Sequence, residues 1–170
     1  MVSSHPPHSL ASSESSLLLS EYLNPSHIFI VSGELQKEAI FNDLIYRLAE
    51  QDHLMPQLEK LQKALWDREH EGRTVLENGL AIPHARIAGL ESIRAVLALM
   101  PEGYEDPDEQ VRVKVLFLFY SPQEEFRSHL QLLARISRVF QEKHFVEDLL
   151  SSLDSLTAFE KIQKREKESL

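Results

Sequence analysis

"TVLENGLAIPHAR", Thr74 to Arg86, decides how this chain is built. Asn78-Gly79 is a dipeptide that accepts the positive φ values of a tight turn, so "TVLENGLAI" reads as two short strands folded about it. A tight hairpin joins antiparallel neighbours, and the sheet that contains it is therefore not purely parallel. His84 leaves the second strand one residue after Pro83, beside Ala85 and Arg86. An imidazole in that place is either a hydrogen-bonded strand end or a group held out for chemistry.

Upstream, Ile40, Phe41, Leu44, Ile45 and Leu48 recur at three and four residues, which predicts an amphipathic helix over Gln36 to Glu50. A second helix is expected from Pro56, whose fixed φ suits a first turn, to Gly72, a natural stop. Its stripe of Leu58, Leu61 and Leu65 continues onto Arg68, placing a guanidinium at the end of the buried face. A short apolar helix or turn from Leu17 and a strand over Ile28 to Val31 precede both.

Downstream, strands are expected at Ile93 to Met100 and Val111 to Tyr120, separated by the polar loop "PEGYEDPDEQ". The later strand alternates and then turns apolar throughout, as a central strand covered on both faces does. A third helix, Glu124 to Gln141, carries Leu132, Leu133, Ile136 and Phe140 inward and puts His129 on the same stripe. One or two helices follow between Phe145 and Gln163. The expected fold is a single α/β domain with a mixed sheet of about five strands flanked by helices. It occupies residues 17–163, between a flexible Ser-rich tail at 1–16 and a charged tail at 164–170.

Composition narrows the function. The 170 residues carry 27 acidic and 18 basic side chains, a formal charge of -9, which disfavours nucleic acid and favours a basic partner. Cysteine is absent, which removes disulfides, thiolate metal sites and cysteine nucleophiles and suits a reducing compartment. Apolar runs fall well short of the roughly 20 residues of a membrane span. No Lys or Arg precedes Lys37, so a secretory or Arg-rich targeting signal is not expected, and a cytoplasmic location is. With no HExxH helix, no histidine pair four residues apart and no glycine-rich phosphate loop, neither a metal nor a nucleotide cofactor is expected.

Three polar residues occupy places that packing alone would make apolar: Arg68, His84 and His129. Each has an ordinary explanation, namely a strand-end or helix-face histidine with one hydrogen bond, or an arginine paired with Asp67, Glu69 or Glu71. Each also has a chemical one. A neutral imidazole, with an unperturbed pKa of about 6.5, is a nucleophile able to carry a phosphoryl group, and arginine presents a donor fork matched to phosphate oxygens.

"REHEGRTVLENGLAIPHAR", Arg68 to Arg86, resembles the phosphorylation region of enzyme IIA domains of the fructose/mannitol and nitrogen-regulatory class of the phosphoenolpyruvate-dependent phosphotransferase system. "VRVKVLFLFYSP" is similar to that family's later core strand, and "SHLQLLARISRVFQ" to the helix bearing its second active-site histidine. The resemblance implies that His84 is the phosphoacceptor, held at the surface by its strand, and that Arg68 and His129 line its pocket. Thr74 and Arg86 would add phosphate contacts. It also implies an HPr-type donor, or its nitrogen-branch relative, and a separate IIB protein or a regulatory target as the next partner. No fused IIB and no transport domain are expected in this chain. Val75, Leu76, Glu77 and the Ala85-Arg86 pair depart from the family's usual residues and bear on the subclass.

Overall fold

The computed structural model describes residues 17–168, and the segment read as a Ser-rich tail lies outside them. β1 (Ile28–Ile30) is followed by α1 (Lys37–Gln51) and α2 (Leu58–Glu71). Four strands come next, β2 (Leu80–Ala81), β3 (His84–Ile87), β4 (Arg94–Glu105) and β5 (Arg112–Pro122). α3 (Phe126–Val139), α4 (Lys143–Leu150) and α5 (Ser155–Glu168) close the chain. The strands form one five-stranded mixed sheet.

β5 lies at its centre, antiparallel to β4 and parallel to both β2 and β3, while β1 joins β4 in parallel. Its alternating side chains feed two cores. Leu116, Leu118 and Tyr120 pack with α1 and α2, whereas Val115, Phe117 and Phe119 pack with α3, α4 and α5. This arrangement is the double coverage that the apolar character of β5 implied.

The hairpin about Asn78-Gly79 forms differently from its sequence signal. Val75 makes an isolated antiparallel bridge to Ala81, so its limb never becomes a strand. Gly79 takes a φ of 83° and Asn78 is not in the left-handed region, which rules out the two-residue turn that needs both. The Asn78 side chain accepts from Leu80 N–H and donates to the Phe140 carbonyl, tying the turn to the end of α3. The antiparallel element of the sheet comes instead from β4 and β5.

β4 also runs on through Pro101, Gly103 and Tyr104, residues that read as loop. A break in register between Leu99 and Tyr104 accommodates Pro101, which has no N–H for the ladder. At the other end of the chain, α5 continues to Glu168, past the Gln163 at which the apolar pattern stops, and Glu166 is buried.

Candidate active site

β2 and β3 keep one register along β5, with Leu80 opposite Val115 and His84 opposite Phe119, and Ile82-Pro83 interrupts them. Pro83 cannot donate to the ladder, but its carbonyl accepts the Phe119 N–H at 3.1 Å, which keeps the strand in place. The interruption frees the Ile82 carbonyl from ladder duty. It turns to His84 instead, and the imidazole Nδ1 lies 2.6 Å from it.

A carbonyl can only accept, so Nδ1 carries the proton and Nε2 is left with its lone pair. Nε2 has no hydrogen-bond partner among the described residues, and it is not among the polar atoms sealed from solvent without one. Phe119 stacks on the ring at 5.4 Å and the His129 ring meets it edge-on at 5.1 Å. His84 is 8% exposed, so the ring lies on the floor of a cleft and not proud of the surface as the sequence suggested. The cleft has a volume of about 560 Å³, and Arg68, Arg86, Gln123, Phe126 and His129 also line it.

The two histidines share a cause for low basicity. Burial dominates at His84 and holds its pKa below the ordinary value; Arg68 lowers it further, while the Ile82 carbonyl and Glu69 work the other way. Burial, then His84, Arg86 and Arg68, push His129 down to about 4. His129 Nδ1 is 2.5 Å from the Ser121 hydroxyl at the end of β5, which fixes the orientation of the ring. Both imidazoles are neutral at pH 7.

The cations of the cleft are available. Arg68 reaches only the Gly72 carbonyl, at 3.4 Å, and has no carboxylate within ion-pairing distance among the described residues, so the ordinary pairing with Asp67, Glu69 or Glu71 is absent. The Arg86 guanidinium lies 5.2 Å from the centre of the Phe126 ring, a contact that leaves its N–H groups free for an anion. His84, Arg68, Arg86 and His129 are thus brought together around one space. Thr74 is not part of that lining, and its hydroxyl donates to the Glu69 carboxylate at 2.8 and 3.0 Å.

Ser121 and Phe119 act on the site without having been singled out in the sequence, and Glu69, read there only as a possible partner for Arg68, acts on the imidazole instead. Phe119 sits in an apolar strand pattern in which nothing distinguishes it, Ser121 follows at the end of that run, and only register brings them to the imidazoles. No group of three or more metal-ligating side chains occurs among the described residues, and no helix there is long and apolar enough to cross a membrane.

Comparison with known proteins places this arrangement. The family described as "Phosphoenolpyruvate-dependent sugar phosphotransferase system, EIIA 2" matches residues 21–168. A nitrogen regulatory protein of Bradyrhizobium diazoefficiens is 34% identical over 95 residues, covering 55% of this chain and 61% of that protein. The match thus spans about six-tenths of that curated relative's length. The crystal structure of nitrogen regulatory protein IIA-Ntr from Neisseria meningitidis superposes with a TM-score of 0.74 at 25% identity, covering 85% of this chain and 98% of that one. Enzyme IIA mannitol of Escherichia coli, solved in complex with phosphorylated enzyme IIB mannitol, superposes with a TM-score of 0.63 at 18% identity over 84% and 97% of the two chains, a likeness of fold.

Proposed function

The chain belongs to the EIIA 2 family of the phosphoenolpyruvate-dependent sugar phosphotransferase system, and from that premise we propose that it is a phosphohistidine carrier with Nε2 of His84 as acceptor. The observation that carries this is the pairing of Nδ1 with the Ile82 carbonyl, which leaves Nε2 bare towards a cleft lined by two arginines. In the transfer, the Nε2 lone pair attacks the phosphorus of a donor phosphohistidine. The donor's N–P bond breaks and its electron pair returns to the donor imidazole. The His84 ring gains positive charge, which the Ile82 carbonyl steadies at the Nδ1 proton.

Arg68 and Arg86 neutralise the phosphoryl oxygens, and His129 contributes a hydrogen bond from a ring that stays neutral and takes no phosphate itself. The donor is an HPr-type carrier or its nitrogen-branch relative. The acceptor downstream is a IIB protein or a regulatory target, and the work is done in the cytoplasm, where such donors act. The nitrogen-regulatory relatives favour signalling over sugar delivery. In that role the phosphate's two negative charges would change the affinity of the cleft for its target.

Incubation with phosphoenolpyruvate, enzyme I and HPr tests the reading. Wild-type protein should take up label on His84, and His84→Ala should take up none. Label retained by His84→Ala would refute it. Transfer of label onward to a sugar-specific IIB with formation of sugar phosphate would replace signalling by delivery.

A further inference from the structure

Glu69 lies next to Arg68 in the last turn of α2, where the helix already presents the negative end of its dipole. A carboxylate there is opposed by the helix that bears it, and it is buried as well, with 6% of its side chain exposed. It is held by Lys37 Nζ at 3.0 Å and by the Thr74 hydroxyl. Lys37 is in turn 3.2 Å from the Asp106 carboxylate, whose other oxygen accepts the N–H groups of Asp108 and Glu109. The Glu69 carboxylate thus joins the end of α2 to the start of α1 and to residue 74, and Lys37 carries the link on to the turn after β4.

Neutralising Lys37 does not require Thr74, so the Thr74 contact calls for its own account. Between α2 and β2 the chain forms no strand, and its pairing to the sheet is the isolated Val75–Ala81 bridge, with the Asn78 turn beyond it. The Thr74 carbonyl accepts the Ile82 N–H at 2.9 Å, and the Ile82 carbonyl accepts Nδ1–H of His84 at 2.6 Å. Three successive hydrogen bonds thus lead from Glu69 to the imidazole. The same carboxylate sits one residue from the guanidinium that faces that imidazole across the cleft.

We propose that Glu69 is a positioning residue for phosphoryl transfer, acting through Thr74 and Ile82 to hold His84 in its Nδ1–H form with Arg68 in register. The proposal rests on the reading of His84 as acceptor. It gives Thr74 a task that the cleft lining does not, since its hydroxyl is spent on Glu69 and is turned away from any phosphate. A carboxylate near the ring also favours the charge that the ring gains on phosphorylation, against Arg68, which opposes it.

The full-length chain is compared with Thr74→Val, which removes the hydroxyl at nearly constant shape, with Thr74→Ser, which restores it, and with Glu69→Gln. Uptake from phosphorylated HPr is followed as a function of donor concentration, and the imidazole nitrogens of His84 are observed by ¹⁵N NMR. In Thr74→Val the maximal rate should fall about 10-fold with KM for the donor within two-fold, and the His84 shifts should move to a mixture of tautomers. Thr74→Ser should recover both, and Glu69→Gln should move both in the direction of Thr74→Val.

Wild-type rate and tautomer in Thr74→Val would overturn the proposal, as would a slower rate with unchanged ¹⁵N shifts. If Glu69→Gln does not fold, the two Thr74 variants decide. The NMR measurement needs no phosphate donor. A wild-type chain that takes no label would therefore defeat the acceptor reading, while the shifts still judge the role of Glu69.

Discussion

Burial lowers the basicity of an imidazole but leaves the lone pair of its unprotonated nitrogen available, and both histidines of the cleft are in that condition. Since His84 is held below its ordinary pKa, most of the ring keeps the acceptor form as pH falls from 8 to 6.5. Uptake of phosphate should fall less over that range than an ordinary imidazole would allow, and a loss of half the rate at or above pH 6.5 would contradict it. Stability follows the opposite limb. The unfolded chain takes up protons at about pH 6.5 and the folded one resists them, so stability is full above that pH and declines below it, by about 1.4 kcal/mol per pH unit for each proton. For His129 the decline ends near pH 4, its folded value. Urea melts at pH 7.5 and 5 should show the loss, and His129→Gln should reduce it. Arg68 makes one long bond to Gly72 and no ion pair, so it contributes little to folding. Arg68→Ala should therefore cut uptake by about 10- to 100-fold while changing stability by less than about 1 kcal/mol. Arg68, His84 and His129 were legible in the sequence because each was a polar group at an apolar position. Ser121 was not, because a serine at a strand end carries no such conflict.

At the scale of elements, amphipathic helices were the readable part, since three-and-four spacing specifies α1, α2 and α3 to within a few residues. Strand pairing was less so. Asn78-Gly79 signalled a hairpin, but the parallel ladder to β5 captured Leu80 and Ala81 and left Val75 with one bridge. The reverse error occurred at Pro101 to Glu105, where proline and glycine read as loop although the strand continues around an irregularity. Gly103 is essential there. Its φ is 68°, and a Cβ at that position would stand 2.1 Å from the Val113 carbonyl oxygen. Gly103→Ala must shift the β4–β5 ladder or break it, at a cost well above the roughly 1 kcal/mol of an ordinary glycine replacement. Val113 is near the start of β5, and His84 pairs near its end. The variant should melt at a clearly lower temperature yet take up phosphate normally when assayed well below it. An unchanged melting temperature would show that the strand end adapts freely.

Across the whole molecule, the two ends of the described chain are fastened to one another on the face that carries α3. Glu166 in α5 accepts the N–H groups of Leu19 and Ser20 at 2.6 and 3.0 Å and pairs with the buried Arg135 of α3 at 3.3 Å. These partners lie some 30 to 150 residues away in sequence, which is why "KREKES" read only as a charged tail. The carboxylate has no local pattern to betray it, because what it satisfies belongs to a distant turn and a distant helix. Its removal would leave two backbone donors without their acceptor and the Arg135 guanidinium without its carboxylate, holding only the Glu166 carbonyl, in a nearly dry place. The expected cost of Glu166→Ala is about 3 to 5 kcal/mol, the range for breaking a buried pair from one side. Truncation after Gln163 should cost at least as much, since it also removes the last turns of α5. His129 is on the same helix as Arg135, nearly two turns away, so loosening α3 should also free the His129 ring from Ser121. Urea denaturation of both variants, with the His129 ¹⁵N shifts recorded alongside, checks the two effects together. Wild-type stability after truncation would return residues 164–168 to the status of a dispensable tail.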